Sequence, residues 1–171
     1  MPIAGNLEPW LVELRSRAAN RPGLVALDVS KRAIGVAGAD AGWRLATPLV
    51  TIRRRRFAAD LERLQAVIRE RLAGALVIGW PLNMDGSEGP RCQSVRAFAE
   101  RLDRALDMPL LLWDERLSTF AAEEAADQAG LSRQKRADRL DALAAAAILQ
   151  DALDALARLE SRAAPERPKP A

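Results

Sequence analysis

Acidic residues at three places in this chain could together bind a metal ion. Asp28 lies in the apolar run LVALDV, where an unpaired carboxylate is costly to bury. Asp114 and Glu115 directly follow the run PLLLW, and Asp141 lies within RADRLDALAAAAIL. Carboxylate oxygens are the ligands that Mg²⁺ and Mn²⁺ prefer. Two such ions about 4 Å apart can activate water and stabilise the leaving oxygen in phosphodiester hydrolysis. If the three acids converge, the sequence predicts a site of this kind.

Each acid also has an ordinary structural explanation when its segment is considered alone. Asp28 could accept backbone hydrogen bonds in the turn that follows its strand. Asp114 and Glu115 are typical of a solvated strand exit, and side-chain alternation lets only one of them face a shared site. Asp138 and Asp141 could simply favour the positive end of a helix dipole. Convergence of the acids on one edge of a sheet is what favours the metal-binding interpretation.

The composition removes other kinds of catalytic site. The chain contains no histidine, which excludes Ser-His-Asp and Cys-His nucleophile systems and zinc ligation by imidazole. A single cysteine, Cys92, excludes an intramolecular disulfide and fits a reducing compartment. The net charge of +3 permits a polyanionic partner without demanding one. Neither a membrane span nor a signal peptide is visible in the pattern, so we expect a soluble cytoplasmic protein.

The elements that must position the acids can be predicted from periodicity. Apolar runs at 24–29 and 33–39 indicate two strands, and Asp40-Ala41-Gly42 is typical of a hairpin turn into a third strand over 43–52. A strand at 75–79 and another at 109–113 follow. Helical spacing and caps predict helices over 7–19 (after Asn6), 57–73 (ended by Gly74), 90–105 (opened by Pro90), 118–129 and 136–159.

This order predicts an α/β fold with a mixed five-stranded sheet, in which three antiparallel strands are followed by parallel strands and helices flank the sheet. The strands that carry or precede the acids share their carboxyl edge, where ligands of open α/β sheets bind. We expect an N-terminal extension with a short helix over 1–22, one domain over 23–159 and a disordered tail over 160–171.

Four separated segments together resemble the YqgF/RuvX family, and the combination in this order is highly specific. The segments are ALDVSKRAIGVAGAD (26–40), VIGWPLNMDGSEGPRCQSVRAFAERL (77–102), LLLWDERLSTFAAEEA (110–125) and GLSRQKRADRLDALAAAAILQ (130–150). The resemblance implies an RNase H-like fold, similar to Holliday junction resolvases of the RuvC type. It also implies a nuclease that matures the 5′ end of the 16S ribosomal RNA precursor.

The resemblance assigns the family's three acids to Asp28, Glu115 and Asp141, which would bind catalytic Mg²⁺ or Mn²⁺, with two ions expected. In one respect this chain departs from the family pattern, because Ser30 occupies a position that is usually glycine. If that position needs a positive φ or a close approach to phosphate, a β-carbon there is unfavourable. Alternatively, the Ser30 hydroxyl could donate to a phosphate.

Basic and polar residues near the predicted site are candidates for contacts to the substrate. They are Lys31, Arg32, Asn83, Arg116, Arg133 and Arg136. The ordinary alternatives are solvated charges or ion pairs for the cations and turn chemistry for Asn83. Ser118 and Thr119 are better explained as helix caps. The run Arg53 to Arg56 is better explained as a group of solvated basic side chains.

Several functions remain open at the level of sequence. A nuclease for precursor rRNA is favoured, and a nuclease for branched DNA could be built on the same carboxylates, because the choice depends on 2′-hydroxyl contacts and groove shape. A non-catalytic nucleic-acid-binding module for ribosome assembly is disfavoured by the presence of all three acids. An actin-like or sugar-kinase-like ATPase normally needs a second domain, for which 171 residues leave little room. The chain could act as a monomer or a homodimer.

Overall fold

A computed structural model describes residues 5–18, 20–116 and 132–163 of the chain. The elements follow one another as helix α1 (Leu7–Arg17), strands β1 (Gly23–Val29), β2 (Ala33–Ala39) and β3 (Ala46–Arg53), helix α2 (Phe57–Glu70), strand β4 (Ala73–Trp80), helix α3 (Pro90–Ala105), strand β5 (Leu110–Asp114) and helix α4 (Arg133–Ala163).

One sheet contains all five strands in the order β3-β2-β1-β4-β5. Strand β1 pairs antiparallel with β2, and β2 pairs antiparallel with β3. Strands β1 and β4 are parallel, as are β4 and β5. The mixed five-stranded sheet predicted from the order of elements is therefore confirmed.

Both faces of the sheet are covered by helices. On one face Leu27 and Ile78 pack with Phe98 of α3 and with the apolar side of α2. On the other face Trp10 of α1 packs with Leu149 of α4 and with residues of β1, β4 and β5. Because the central strands are buried on both sides, their sequences are almost continuously apolar, as the runs in β1 and β4 show. Within the described ranges no helix is long and apolar enough to span a bilayer.

Two boundaries differ from the sequence prediction for clear physical reasons. Helix α2 ends at Glu70 and Gly74 lies inside β4, so the prediction that Gly74 ends the helix is wrong. Leu72 takes the positive φ of 49° that a glycine would be expected to adopt. Strand β3 starts at Ala46 instead of residue 43, because Trp43 has a φ of 56° and the Asp40 carboxylate caps the turn by accepting the N–H groups of residues 44 and 45.

The long C-terminal helix is longer than predicted at both ends. It begins at Arg133 instead of Arg136 and continues through Ala163, so residues 160–163 are helical instead of belonging to a disordered tail. Residues 164–171, the predicted helix over 118–129 and its proposed caps Ser118 and Thr119 lie outside the described residues. At the other end of the chain, Asn6 occupies the N-cap position of α1 but makes no side-chain capping bond.

Candidate active site

The three acids lie at one edge of the molecule, where the parallel strands end. Asp28 is the penultimate residue of β1, and Glu115 directly follows β5. The backbone N–H of Glu115 donates to the carbonyl oxygen of Trp80 at 3.2 Å, which continues the β4–β5 pairing past the end of the strand. Asp141 comes from α4, which packs across β1, β2 and β3. The crossover topology therefore brings acids from three distant segments to a common edge.

Gly35 allows Asp141 to approach the sheet. Gly35 is the cross-strand partner of Asp28 in the β1–β2 pair. An ideal β-carbon at position 35 would lie 1.8 Å from the carbonyl oxygen of Asp141, so the backbone of α4 rests directly on the bare strand. Because Gly35 is paired with Asp28, this contact also sets Asp141 beside Asp28.

Gly79 has a comparable role for the second acid. A β-carbon there would lie 2.4 Å from Oε2 of Glu115 and 2.6 Å from Cδ1 of Ile148. The carboxylate of Glu115 therefore occupies space over β4 that only a glycine leaves open. The neighbouring Asp114 accepts hydrogen bonds from Nε of Arg116 at 2.9 and 3.0 Å. As alternation predicts, Glu115 faces the site and Asp114 does not.

Burial raises the pKa of all three acids. Burial raises the pKa of Asp28 to about 7, and the charges of Glu115 and Asp141 add to the shift while Arg91 opposes it. Burial also raises the pKa of Glu115, against an opposing effect of Arg91, and the nearby charge of Asp114 raises it further. The pKa of Asp141 is raised by burial and by Asp138. The edge thus holds more negative charge than its protein surroundings compensate.

Asp28 does not serve the turn that follows its strand. That turn is held by Ser30, whose hydroxyl accepts the N–H of Ala33 at 3.1 Å and donates to the carbonyl oxygen of the same residue at 3.0 Å. Ser30 is not among the described non-glycine residues with positive φ, so a β-carbon at this position strains nothing. In the part of the chain that the structure describes, the carboxylate of Asp28 makes no hydrogen bond. A buried carboxylate without such partners calls for a cation.

The donor set fits Mg²⁺ or Mn²⁺ in an open site. All three side chains offer oxygen atoms, and the partly buried Asp28 makes no hydrogen bond within the described residues. Among the described residues, no group of three acidic or cysteine side chains is gathered closely enough to hold a metal ion by itself. Mg²⁺ is ordinarily bound through one or two carboxylates, and water or substrate phosphates complete its shell. One or two of these acids could therefore provide part of such a shell.

The predicted substrate-contacting residues have different surroundings. Lys31 and Arg32 are exposed directly after β1, and within the described ranges their side chains make no ion pair. Asn83 donates its side-chain amide to Oγ of Ser87 at 2.9 Å, which agrees with turn chemistry. Arg116 is held by Asp114, and its other amino group reaches the carbonyl oxygen of Met84 at 3.4 Å. The remaining two, Arg133 and Arg136, are exposed in the first turn of α4.

The basic run after β3 is joined to the site. Arg54 donates its N–H to the carbonyl oxygen of Arg32 and its guanidinium to that of Ser30, both at 2.9 Å. Arg53 pairs with Asp138 of α4 at 2.8 Å. These contacts place three basic segments side by side, which we call the basic corner. It consists of the β1–β2 loop (residues 31–32), the β3–α2 connection (residues 53–56) and the start of α4 (residues 133–139).

Sequence reasoning missed three residues that shape the site, namely Gly35, Gly79 and Arg91. A glycine inside a strand can indicate a close backbone approach, so the two glycines carried a usable signal. Arg91 carried none, because a basic residue in the first turn of an exposed helix is usually solvated.

Comparison with known proteins agrees with this fold. Two relatives are provisionally named pre-16S rRNA nuclease. The relative from Roseobacter denitrificans is 53% identical over 133 residues, which are 77% of this chain and 82% of the relative. The relative from Rhizobium meliloti is 46% identical over 158 residues, which are 92% of this chain and 96% of the relative. Thermus thermophilus RuvC, solved with a Holliday junction substrate, has a similar fold, with a TM-score of 0.50 at 13% identity over 80% of this chain and 96% of RuvC. A family model described as RuvX, Holliday junction resolvase, matches residues 23–155. The predicted resemblance is confirmed, and the chain belongs to the RuvX family of nucleases.

Proposed function

We propose that the protein is a metal-dependent nuclease that cleaves phosphodiester bonds during maturation of the 5′ end of precursor 16S rRNA in the cytoplasm. The observation that carries the proposal is the convergence of Asp28, Glu115 and Asp141 over two bare glycine positions at one sheet edge. The name shared by the relatives supports the choice of RNA substrate.

The three acids would hold Mg²⁺ or Mn²⁺, in our proposal two ions, which when bound supply water activation and stabilisation of the leaving oxygen. The protein's own contribution is geometric and electrostatic. Burial keeps the carboxylate of Asp28 poorly solvated, so it interacts strongly with a cation. Glu115 is fixed by the continued β4–β5 pairing, and Asp141 by the contact of α4 with Gly35. A phosphate that enters this edge meets ligands that are already positioned.

The basic residues around the edge would bind the phosphates that flank the cleaved bond. Lys31 and Arg32 have exposed side chains directly after the strand that carries Asp28. Arg133 and Arg136 extend the same charge along the start of α4. Arg116 and Asn83 lie on the other side of the edge, where their described contacts fix the local turn, so we assign them a secondary part in substrate binding.

A branched-DNA resolvase is the second candidate, and the description of the matching family model favours it. The same carboxylates would serve either substrate, because both reactions hydrolyse a phosphodiester. A non-catalytic assembly module is disfavoured, since it would not need an Asp28 whose pKa is raised by burial and by the charges of Glu115 and Asp141.

The test is cleavage of end-labelled precursor 16S rRNA and of a four-way DNA junction, each with Mg²⁺, Mn²⁺ or EDTA. An Asp28→Asn variant, checked for folding by circular dichroism, is the control. We expect metal-dependent cutting of the RNA that the variant lacks. Cutting of the junction alone would select the resolvase, and binding without cutting of either substrate would select the assembly module.

A further inference from the structure

Arg91 lies in the first turn of α3, close to the acids. It is the second residue of α3, after Gly89 at the N-cap and Pro90 at the first helical position. The preceding loop leaves β4 at the carboxyl edge and is closed by bonds between Asn83 and Ser87. The start of α3 is therefore held at the same edge as the carboxylates.

The guanidinium of Arg91 faces Glu115 from the solvent side. Nη2 of Arg91 lies 3.7 Å from Oε1 of Glu115, and the side chains are 65% and 13% exposed, respectively. Within the described ranges this is the ion pair that Glu115 makes. The charge of Arg91 therefore acts directly on one acid of the candidate site.

The contact between Arg91 and Glu115 is a charge contact without a hydrogen bond, because 3.7 Å exceeds hydrogen-bonding distance. Neighbouring arginines are fixed more firmly. Arg116 donates to Asp114 at 2.9 Å, and Arg96 donates to Glu88 at 3.0 Å. Among the described residues Arg91 therefore keeps its planar set of donors available for another oxyanion, and the most accessible position for one is the open side of the site.

We propose that Arg91 is a counter-charge that neutralises Glu115 in the metal-free protein and transfers to a substrate phosphate oxygen when divalent ions bind the carboxylates. This inference rests on the proposed metal-dependent nuclease function. Divalent cations and Arg91 compete for the same carboxylate charge, so removal of Arg91 should strengthen the binding of the cations. The same removal takes away a donor to the phosphate.

The first measurement is Mn²⁺ binding, followed by electron paramagnetic resonance without substrate. Arg91→Ala is expected to bind Mn²⁺ about two- to tenfold more tightly, the range for a partly exposed charge contact. Arg91→Lys keeps the charge and should bind Mn²⁺ as the wild type does. Arg104→Ala removes an equal charge from the last turn of the same helix and should leave the affinity unchanged.

The second measurement is cleavage at saturating Mn²⁺. Arg91→Ala is expected to lower kcat about tenfold or more, and Arg91→Lys is expected to recover part of it, because lysine supplies charge without the bidentate fork. A role confined to folding would not tighten metal binding while slowing cleavage.

Mn²⁺ affinity of Arg91→Ala equal to or weaker than that of the wild type would overturn the inference. Failure of the proposed function gives a different result. In that case the wild type does not bind Mn²⁺, or Asp28→Asn binds it as tightly as the wild type, and the role of Arg91 falls with the metal site.

Discussion

Gly35 and Asp141 are in backbone contact across the sheet–helix interface, so closely that a β-carbon on Gly35 would lie 1.8 Å from the Asp141 carbonyl oxygen. The partner of Gly35 in the neighbouring strand is Asp28. One contact therefore serves both the packing of α4 and the approach of two acids. The structure therefore links stability and activity at this point.

Gly35→Ala is expected to lower both stability and activity. The new methyl group meets backbone atoms that cannot rotate away, so α4 has to shift from the sheet. We expect a loss of about 3 kcal/mol in the free energy of unfolding, the upper part of the range for overpacking. Denaturant unfolding measures this loss. Gly42→Ala is the matched control, because a β-carbon there has only ordinary contacts, the nearest at 3.7 Å, and it should be close to neutral.

Gly79→Ala should weaken Mn²⁺ binding with only a small loss of stability. Its β-carbon would meet the ends of the Glu115 and Ile148 side chains, which can move, so the cost to stability is smaller, about 1–2 kcal/mol. Displacement of the Glu115 carboxylate should weaken Mn²⁺ binding, as measured by calorimetric titration. If Mn²⁺ affinity is unchanged while stability falls, the Glu115 carboxylate does not bind the ion from its position over Gly79.

Asp28→Asn is expected to stabilise the metal-free protein, increasingly so at higher pH. The pKa of Asp28 is raised from 3.8 to about 7 in the folded state, so the folded protein binds more protons between these values. Asp28 therefore lowers the stability of the wild type as pH rises from about 4 to 7, and the variant lacks this contribution. Each pKa unit corresponds to about 1.4 kcal/mol, and we expect a difference of about 1–3 kcal/mol at pH 8 because Asp28 is only partly shielded from solvent.

Denaturant unfolding in EDTA at pH 4.5 and pH 8 tests this prediction. Asp85→Asn is a control of opposite sign, because hydrogen bonds from Ser87 lower the pKa of Asp85 and favour its charged form. A gain in Asp28→Asn that is the same at both pH values would contradict the raised pKa.

Ser30→Gly restores the residue that the family usually has, and it should not improve the enzyme. The Ser30 hydroxyl makes two hydrogen bonds to the backbone of Ala33, and the backbone at position 30 does not need a positive φ. We expect a loss of about 1 kcal/mol in stability from the lost bonds. Cleavage should change little, since the hydroxyl is engaged in the turn. Ser30→Ala, which keeps the β-carbon, shows whether the hydroxyl accounts for the loss, and faster cleavage by Ser30→Gly would show that Ser30 crowds the phosphate.

Local signals in the sequence were enough for most of the fold. The bounds of α3 follow from Pro90 at its first position, and those of β2 from an unbroken run of small and apolar residues. The prediction that Gly74 ends α2 was wrong, although glycine ends many helices. Here Leu72 adopts the positive φ, and Gly74 lies in β4 next to Pro22. The tertiary contact between Gly74 and Pro22 decides which residue turns the chain, and this contact cannot be read from the local sequence.

The candidate site was predictable in its acids and unpredictable in its supports. Strand ends and family motifs located Asp28 and Glu115, because crossover topology fixes where parallel strands end. The contact of Gly35 with Asp141 joins residues far apart in the chain, and the approach of Arg91 to Glu115 depends on how the loop before α3 closes. Neither leaves a periodic signal in the sequence.

The basic corner supplies the last prediction. Arg55 and Arg56 are exposed, as the sequence predicts, and the bonds of Arg54 to the carbonyl oxygens of Ser30 and Arg32 place them beside the loop that follows Asp28. If nucleic acid crosses this corner, each exposed arginine there releases about one counterion when it binds a phosphate. The double variant Arg55→Ala/Arg56→Ala should therefore reduce the slope of log affinity against log salt concentration by about 2.

Binding of fluorescent precursor RNA across a salt series measures this slope. The control is Arg69→Ala/Arg104→Ala, which removes two charges from the last turns of α2 and α3, at the opposite ends of the crossovers. If the control lowers the slope as much as the double variant does, the effect belongs to net charge alone. If only Arg55→Ala/Arg56→Ala lowers it, the nucleic acid leaves the site over the β2–β3 side of the sheet, because the corner lies on that side of Asp28.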